Sequence, residues 1–445
     1  MASANGPTSV EGVLAQASRD KVGHIDLQFT DVTGMVKAVQ IPIQALESAF
    51  EQGVWFDGSA LEGFARIAES DMYLRPDPTT YAILPWEDQP IARLICDVYT
   101  PTGDPFPGDP RGVLRRALAS AAEMGYRYVV APELEFYLFR APVDPRALQP
   151  EDRAGYFDVE DTGSRAVRRA ITEALTAMGL QVDSGHHEVG SGQQEIDLAP
   201  LEALEMADAI MTARLAVKSV ARGRGLLASF MPKPLAGVAG SGMHTHQMLL
   251  YSQTGENAFA NPDDAYGLSD TGRAFIAGQL AHARGMCAVL APLVNSYKRL
   301  VAGLEAPVYI TWAQMNRSAL IRVPRVLPHV RERVRVELRC VDPSCNPYLA
   351  LAVMLHAGLS GIRENLTPPQ AAEEELYLFN TRRRQMATLP TSLQEALAAM
   401  EQSTLVSEAL GLTVFERFLE AKRIEWNEYD LDVSPWELGR YLQNY

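Results

Sequence analysis

A short apolar stretch, VVAPELEFYLF at residues 129–139, carries two glutamates, Glu133 and Glu135, two positions apart. Side chains at i and i+2 of a β-strand point to the same face, so the two carboxylates are expected side by side, with Leu134 and Phe136 on the other face. Two like charges this close repel each other, and burial adds a desolvation cost. Such a pair must face water, share a proton or bind a cation, and a solvated sheet face is the simplest of these alternatives.

Three more stretches place polar side chains where strand faces are predicted. Glu188 and Glu195 lie on either side of Gly190-Ser191-Gly192, which is expected to form a turn or bulge that brings both carboxylates to one side. The other two stretches are GSGMHTHQMLL, with His244 and His246, and VRVELRCV, with Arg335, Glu337 and Arg339. Five glutamates and a histidine in one pocket would repel unless divalent cations neutralised them, and such ligands suit Mg²⁺ or Mn²⁺.

Arginine is concentrated in one segment of an otherwise acidic chain. The formal net charge is −15, yet residues 299–339 contain eight arginines against three glutamates and no aspartate. The planar guanidinium group suits phosphate and carboxylate, so the segment favours a small anionic ligand, although a solvated basic surface is the competing interpretation. Together with the acidic strands, it predicts a metal-dependent phosphoryl-transfer or hydrolytic site.

Composition narrows the class of protein further. A chain of 445 residues with 47% hydrophobic and 21% charged residues is typical of a globular protein of two domains, one of them large. The acidic balance argues against general binding to nucleic acid or to an acidic membrane surface. The sequence has four cysteines without a CxxC pair, and it shows neither a signal-peptide pattern nor an apolar run long enough to span a bilayer. These features predict a cytoplasmic protein.

The segment YTPTGDPFPGDP, residues 99–110, predicts a domain boundary because its prolines and glycines interrupt regular structure. Before it, residues 23–42 read as a β-hairpin around an Asp-Val-Thr-Gly turn. After it, Asp109 and Pro110 begin a predicted helix that runs to Gly125, and further helices are expected near residues 164–178 and 201–220.

In their order along the chain, these stretches resemble glutamine synthetase of the bacterial type I class. The matching segments are FDGSALEGFARIAESDMYLRPD, PELEFYLF, HHEVGSGQQEID, FMPKPLAGVAGSGMHTH, NSYKRLVAGLEAPVYITW, NRSALIRVP, VELRCVDPSCNPYLA and EWNEYDLDVSPWELGRYL. The resemblance implies an α+β fold with a small N-terminal β-grasp-like domain, residues 1–104, and a large catalytic domain, residues 105–445. That catalytic domain would carry a funnel-shaped antiparallel sheet with surrounding helices.

The resemblance also implies a site that holds ATP as co-substrate and two to three Mg²⁺ or Mn²⁺ ions. Glu135, Glu188 and Glu195 would hold one ion, and Glu133, His244 and Glu337 the second. Adjacent glutamates on one strand face would thus serve two neighbouring cations. The reaction implied is attack by the γ-carboxylate of glutamate on the terminal phosphate of ATP, followed by displacement of phosphate by an amine.

The remaining roles also come from the resemblance. Arg299 and Arg339 would hold the carboxylates of glutamate, with Gly240 in the substrate loop, while Arg317, Arg322 and Arg335 would neutralise phosphate and His246 would lie against the nucleotide. Glu305 would close over the acyl phosphate, which must be shielded from water. Asp57, supplied by a neighbouring subunit, and Tyr156 would form the ammonium pocket. The assembly implied is a homo-oligomer of two stacked six-membered rings, a dodecamer, with sites between subunits.

The chain departs from the family pattern close to the expected amine and glutamate. Ala60 stands where a serine is usual, Ala239 replaces an asparagine, and Met248 replaces a serine after the second histidine. The loss of one polar partner typically costs a hydrogen bond worth about 0.5–1.5 kcal/mol. These replacements therefore either weaken substrate binding or indicate a pocket reshaped for a larger amine. Three functions therefore stand: glutamine synthesis, γ-glutamyl ligation to an organic amine such as ethanolamine or a polyamine, and a non-catalytic assembly or regulatory role. Arg66 matches an arginine that takes part in feedback inhibition by glutamine in one subclass of the family. Tyr377 is a poor match to the tyrosine that is adenylylated in some relatives, so this modification is not predicted.

Overall fold

The computed structural model describes residues 7–60, 71–141, 144, 147–159, 163–302, 306–327, 330, 333–373 and 386–445. The helices are α1 (Val10–Arg19), α2 (Leu46–Gln52), α3 (Pro110–Glu123), α4 (Gly163–Ala177), α5 (Ala203–Arg222), α6 (Asp270–Leu290), α7 (Ser296–Arg299), α8 (Pro347–Arg363), α9 (Leu393–Glu401), α10 (Thr404–Leu410), α11 (Leu412–Leu431) and α12 (Pro435–Tyr441). Short 3₁₀ turns cover Ile43–Ala45, Gly58–Ala60 and Pro78–Thr80.

The strands form two sheets. They are β1 (His24–Thr30), β2 (Val36–Pro42), β3 (Val54–Asp57), β4 (Asp71–Pro76), β5 (Ala82–Ile83), β6 (Ile91–Tyr99), β7 (Tyr126–Arg140), β8 (Val182–His187), β9 (Gln193–Leu198), β10 (Leu201–Glu202), β11 (Leu226–Ser229), β12 (Met243–Tyr251), β13 (Tyr309–Ala313), β14 (Ala319–Arg322) and β15 (Val336–Leu338). The first sheet has the order β2-β1-β6-β4-β3, and β5 also pairs with β6. The second has the order β13-β14-β15-β12-β7-β9-β8, and β10 and β11 also pair with β7.

The local elements predicted from the sequence are confirmed. β1 and β2 form the antiparallel hairpin, and α3 begins at Pro110 with Asp109 as its N-cap, whose side chain accepts a hydrogen bond from the backbone of Arg111 at 3.1 Å. The segment from 189 to 192 is the turn of the β8–β9 hairpin. The stretch around Glu337 forms only a three-residue strand, so Arg335 and Arg339 flank β15 instead of lying within it.

Strand β7 separates the core from the polar face of the larger sheet. Leu134, Phe136 and Leu138 are fully buried in the large hydrophobic core, to which α3, α5, α6 and α8 also contribute. The alternation expected from the sequence therefore holds, and Glu133 and Glu135 lie on the opposite face.

Buried ion pairs join the smaller sheet to the helices of the larger unit. Arg111 of α3 contacts Asp77 at 2.8 Å, Asp97 of β6 at 2.7 Å and Asp208 of α5 at 2.9 Å. Because a buried charge left alone is strongly destabilising, this four-residue cluster fixes the relative position of the two units.

Candidate active site

Two antiparallel neighbours of β7 bring the predicted acidic residues together. On one side β12 pairs with β7 so that His244 lies opposite Glu133. On the other side β9 pairs so that Glu195 lies opposite Glu135. Cross-strand partners have Cβ atoms only about 4.5–5.5 Å apart, so the register brings Glu133 next to His244 and Glu135 next to Glu195.

The first cluster contains Glu133, His244 and Glu337. Their candidate ligand atoms all lie within 4.8 Å of one another. His244 Nδ1 is 2.9 Å from one oxygen of Glu133, and His246 Nε2 is 2.7 Å from the other. Burial raises the pKa of Glu133, but the hydrogen bonds from His244 and His246 outweigh it, so the net pKa lies below its usual range. The carboxylate of Glu133 is therefore ionised in this arrangement.

The second cluster contains His186, Glu188 and Glu195, again with ligand atoms within 4.8 Å of one another. His186 Nε2 is 3.4 Å from Glu195 and 3.8 Å from Glu188. Glu135, expected as the third ligand, lies beside this cluster, and its Oε2 accepts hydrogen bonds from Gly242 N at 2.9 Å and Gln193 Nε2 at 3.0 Å. Sequence reasoning missed His186, although its position two residues before Glu188 was a usable signal.

The electrostatics of the second cluster favour a bound cation. Burial, and then repulsion from neighbouring carboxylates, raise the pKa of both Glu135 and Glu195. Three carboxylates in this volume cannot all be ionised at neutral pH without a compensating charge. A divalent cation would supply that charge, and oxygen ligands with one imidazole suit Mg²⁺ or Mn²⁺, so the residues present fit such ions.

Arginines surround the first cluster. Glu337 is fully buried and pairs with Arg339 and with Arg322, whose Nη1 is 2.8 Å from Oε2. Arg335 lies beyond them and its Nε donates to His246 Nδ1 at 3.1 Å. The short strand β15 thus supports a carboxylate between guanidinium groups, an arrangement that can bind both a cation and an anion.

Arg299 is held by backbone carbonyls at the wall of the site. It is almost fully buried, and its Nη atoms donate to the backbone carbonyls of Arg339, Cys340 and Val341 at 2.9–3.1 Å. Burial lowers the pKa of its guanidinium. Arg299 therefore anchors the segment that follows β15 while it also lines the site.

A cavity of about 550 Å³ connects these groups. Its walls include Glu133, Glu135, Tyr156, Phe157, His186, Glu188, Gln193, Glu195, Asp197, Ala239, Gly240, His244, Arg299, Arg317, Arg322 and Arg339. The rings of Tyr156 and Phe157 are 4.0 Å apart, and that of Phe157 is 4.5 Å from His186. Carboxylates, aromatic rings and guanidinium groups thus line one cavity, whose volume suits small molecules.

Asp57 lies apart from this cavity. It ends β3 in the smaller sheet, is exposed, and accepts hydrogen bonds from the backbone and hydroxyl of Ser59 at 2.9 and 2.7 Å. These hydrogen bonds lower the pKa of Asp57. It is not among the cavity-lining residues of the described chain. Glu305, Arg66 and Tyr377 lie outside the described residues.

Comparison with known proteins decides the family. The model of the glutamine synthetase catalytic domain matches residues 107–441, and that of the glutamine synthetase beta-grasp domain matches residues 21–101. The chain belongs to the glutamine synthetase family. Glutamine synthetase of Clostridium saccharobutylicum is 48% identical over 443 residues, covering 98% of this chain and 99% of that protein. Glutamine synthetase of Thermus thermophilus is 48% identical over 447 residues, covering 97% and 98%.

Solved structures of the glutamine synthetase family share the fold. The GmaS/ADP complex in conformation 1 superposes with a TM-score of 0.89 at 32% identity, covering 98% of this chain and 100% of that one. Apo GmaS without ligand gives a TM-score of 0.87 at 32% identity. The α+β class with an N-terminal β-grasp domain, expected from the sequence, is confirmed. Within the described part of the chain, no helix has the length and apolar character needed to cross a membrane.

Proposed function

We propose that this chain is a glutamate–ammonia ligase that uses ATP to join ammonia to the γ-carboxylate of L-glutamate. One observation carries the proposal: two clusters of candidate metal ligands adjoin a single cavity whose wall also carries Arg299, Arg317, Arg322 and Arg339. Homologues at about 48% identity over nearly the whole chain, named glutamine synthetase, support the same activity.

Two divalent cations would occupy the two clusters. Glu133, His244 and Glu337 would hold one, and Glu188, Glu195 and Glu135 the other, with His186 adjacent to the second. Bound ions supply charge neutralisation for the phosphates of ATP. The buried position of Glu337 between Arg322 and Arg339 supports its assignment, because these guanidinium groups hold its carboxylate in place.

The first chemical step would be phosphoryl transfer. An oxygen of the substrate γ-carboxylate attacks the γ-phosphorus of ATP, the bond from that phosphorus to the bridging oxygen breaks, and ADP leaves. Arg317, Arg322 and Arg335 would stabilise the negative charge on phosphate, with His246 against the nucleotide, and Arg299, Arg339 and Gly240 would position the substrate glutamate. The placement of Arg322 and Arg317 in the cavity wall supports these roles.

The second step would be amide formation. Ammonium would lose one proton to Asp57 of a neighbouring subunit, and the ammonia so formed would attack the acyl carbon of γ-glutamyl phosphate. Glu305 would accept the second proton from the attacking nitrogen. The carbon–oxygen bond to phosphate then breaks and phosphate leaves. Tyr156, which is partly exposed beside His186 and Glu188 in the cavity wall, would help to hold the ammonium ion.

Assembly into rings is part of the proposal, because Asp57 lies outside the cavity of its own chain. We expect a dodecamer of two stacked hexamers. The C-terminal helices support an extended contact surface: Leu431, Trp436 and Leu442 are 82%, 66% and 73% exposed. Large apolar side chains gathered on one exposed segment are typical of protein–protein interfaces.

We place the domain boundary at residues 104/105. The four free, buried cysteines favour a cytoplasmic location.

One observation favours a second candidate, γ-glutamyl ligation to an organic amine. Ala239, in place of a larger polar residue, lines the same cavity as the exposed rings of Tyr156 and Phe157. Aromatic faces bind organic cations as well as ammonium. The substrate would then be a primary amine whose hydrocarbon part contacts these rings.

Positional isotope exchange tests the acyl-phosphate step without any amine. ATP labelled with ¹⁸O at the β,γ-bridging oxygen is incubated with protein, Mg²⁺ and glutamate, and scrambling into the non-bridging β-oxygens is measured. The proposal expects scrambling that requires glutamate. Scrambling without glutamate, or none with it, would contradict the proposal.

A further inference from the structure

A third polar residue follows Glu133 and Glu135 on the same face of β7. This residue, Tyr137, is fully buried, and its hydroxyl lies 2.7 Å from the carbonyl oxygen of Ala239 and 3.2 Å from Gln193 Oε1. Ala239 and Gly240 belong to the loop that precedes β12 and line the cavity, so the tyrosine connects β7 to this loop.

Gln193, at the start of β9, is the centre of this network. Its Nε2 donates to Glu135 Oε2 at 3.0 Å and to the carbonyl of Gly240 at 3.1 Å, and its Oε1 accepts from the backbone of Gly190 at 3.0 Å. The orientation of the amide is fixed, because a flipped amide would place an acceptor against two acceptors. With 1% of its surface exposed, the side chain cannot exchange these partners for bulk water.

The network also selects one oxygen of Glu135. Gly242 N and Gln193 Nε2 both donate to Oε2, and among the described residues no hydrogen bond is found to Oε1. A carboxylate held through one oxygen presents the other in a fixed direction. Gly190 completes the packing, since a Cβ atom there would collide with the Tyr137 hydroxyl.

From these contacts we infer that Gln193 and Tyr137 are positioning residues that couple the cation-binding carboxylate Glu135 to the substrate loop at Ala239 and Gly240. The inference rests on the proposed function and adds a mechanical link within it. Glu135 would help to hold the cation, and the Gln193 amide joins its carboxylate to the carbonyl of Gly240. Glutamate affinity and cation affinity should therefore depend on the same two side chains.

The test uses Tyr137→Phe, Gln193→Met and the double variant, with Tyr128→Phe as matched control. Tyr128 lies on the same strand, is fully buried and also bonds a glutamine, Gln247 Oε1 at 2.7 Å, but it faces the helical core. Two properties are measured: binding of Mn²⁺ to the nucleotide-free protein, from the EPR signal of free Mn²⁺, and the KM values for glutamate and for ATP.

We expect Tyr137→Phe to raise the KM for glutamate about threefold to tenfold, the effect of one buried hydrogen bond, with the KM for ATP within about twofold of wild type. Gln193→Met should weaken both Mn²⁺ binding and glutamate binding. The double variant should show less than the product of the single effects, because the two side chains act as one unit. Tyr128→Phe should change none of these values.

Three results would overturn the inference. Tyr137→Phe could behave like Tyr128→Phe, or it could raise the KM for glutamate and the KM for ATP equally. In the double variant, the effects of the two single substitutions could simply multiply. If Gln193→Met does not fold, the comparison of Tyr137→Phe with Tyr128→Phe decides alone. Failure of the proposed function would appear differently, as wild-type protein without glutamate-dependent ATP turnover. In that case the Mn²⁺ affinity of Gln193→Met, compared with that of wild type, still tests whether Gln193 is coupled to Glu135. An unchanged Mn²⁺ affinity would overturn this coupling.

Discussion

Glu133 and His244 are cross-strand partners on β7 and β12, and the Nδ1 atom of His244 lies 2.9 Å from a carboxylate oxygen of Glu133. The relationship is set by register: a shift of one residue would turn Glu133 into the core and Leu134 towards the cavity. Glu337 reaches the same point from β15, which pairs with the opposite edge of β12. Three chain segments distant in sequence thus supply one site.

Removal of Glu133 or Glu337 tests the first cation site. Glu133→Ala and Glu337→Ala should each lower ATP-dependent ligation at least about a hundredfold at saturating Mg²⁺, since even outer partners of metal ligands cost tenfold to a hundredfold when lost. Steady-state ADP release measures the effect, and circular dichroism checks the fold. Glu202→Ala, which removes a half-buried carboxylate paired with Arg127 outside the cavity lining, is the control. Wild-type turnover in either site variant would disprove the assignment.

The crossing of α6 and α8 depends on two glycines. A Cβ atom at Gly278 would collide with the carbonyl of Ala357, and one at Gly361 with the carbonyl of Ala274. Gly278→Ala should therefore lower the free energy of unfolding by about 1–3 kcal/mol, the usual cost of overpacking. Denaturant titration measures it, with Gly439→Ala, where a Cβ meets nothing within 4 Å, as the control. Equal stability of the two variants would contradict the close helix contact.

Asp109 gives the fold a pH dependence. Burial, and next repulsion from Asp97, raise the pKa of Asp109 from 3.8 to about 7. Between these values the folded protein binds more protons at this residue than the unfolded chain, so the contribution of Asp109 to stability falls as pH rises, by up to about 1.4 kcal/mol per pH unit.

The measurement is the difference in unfolding free energy between wild type and Asp109→Asn from pH 5 to pH 8. We expect the advantage of wild type over the variant to shrink as pH rises towards 7 and then to level off. An advantage that grows with pH would show that Asp109 is stabilised as the carboxylate.

The exposed C-terminal segment predicts large assemblies. Mass photometry of wild type should give a mass near twelve times the subunit value of 48.8 kDa. Trp436→Ser, which removes an exposed aromatic side chain from α12, should shift the distribution towards smaller species, since buried aromatic residues contribute strongly to interfaces. Fully active protein with the mass of one subunit would refute both the assembly and the intersubunit role of Asp57.

The sequence predicted those elements whose structure depends on residues close together in the chain. The two faces of β7, the cap at Asp109 and the turn at 189–192 each depend on a few neighbouring residues, and the structure has them as expected. The pairing of Glu133 with His244 and of Glu135 with Glu195 is non-local and came only through the family resemblance. His186 was missed although its spacing from Glu188 was a usable signal, whereas the network of Tyr137 and Gln193 was missed because it includes backbone carbonyls and amides that a sequence does not display.

Product analysis with competing amines tests the central claim most directly. Wild type and Ala60→Ser are supplied with ATP, glutamate and, in turn, ammonium, ethanolamine or putrescine, and the products are identified by mass spectrometry alongside ADP release. The account predicts efficient formation of glutamine from ammonium, with Ala60→Ser retaining or improving it and little turnover of either organic amine. Efficient γ-glutamyl ethanolamide or γ-glutamyl putrescine formation with poor use of ammonium, or no ligation at all, would contradict it.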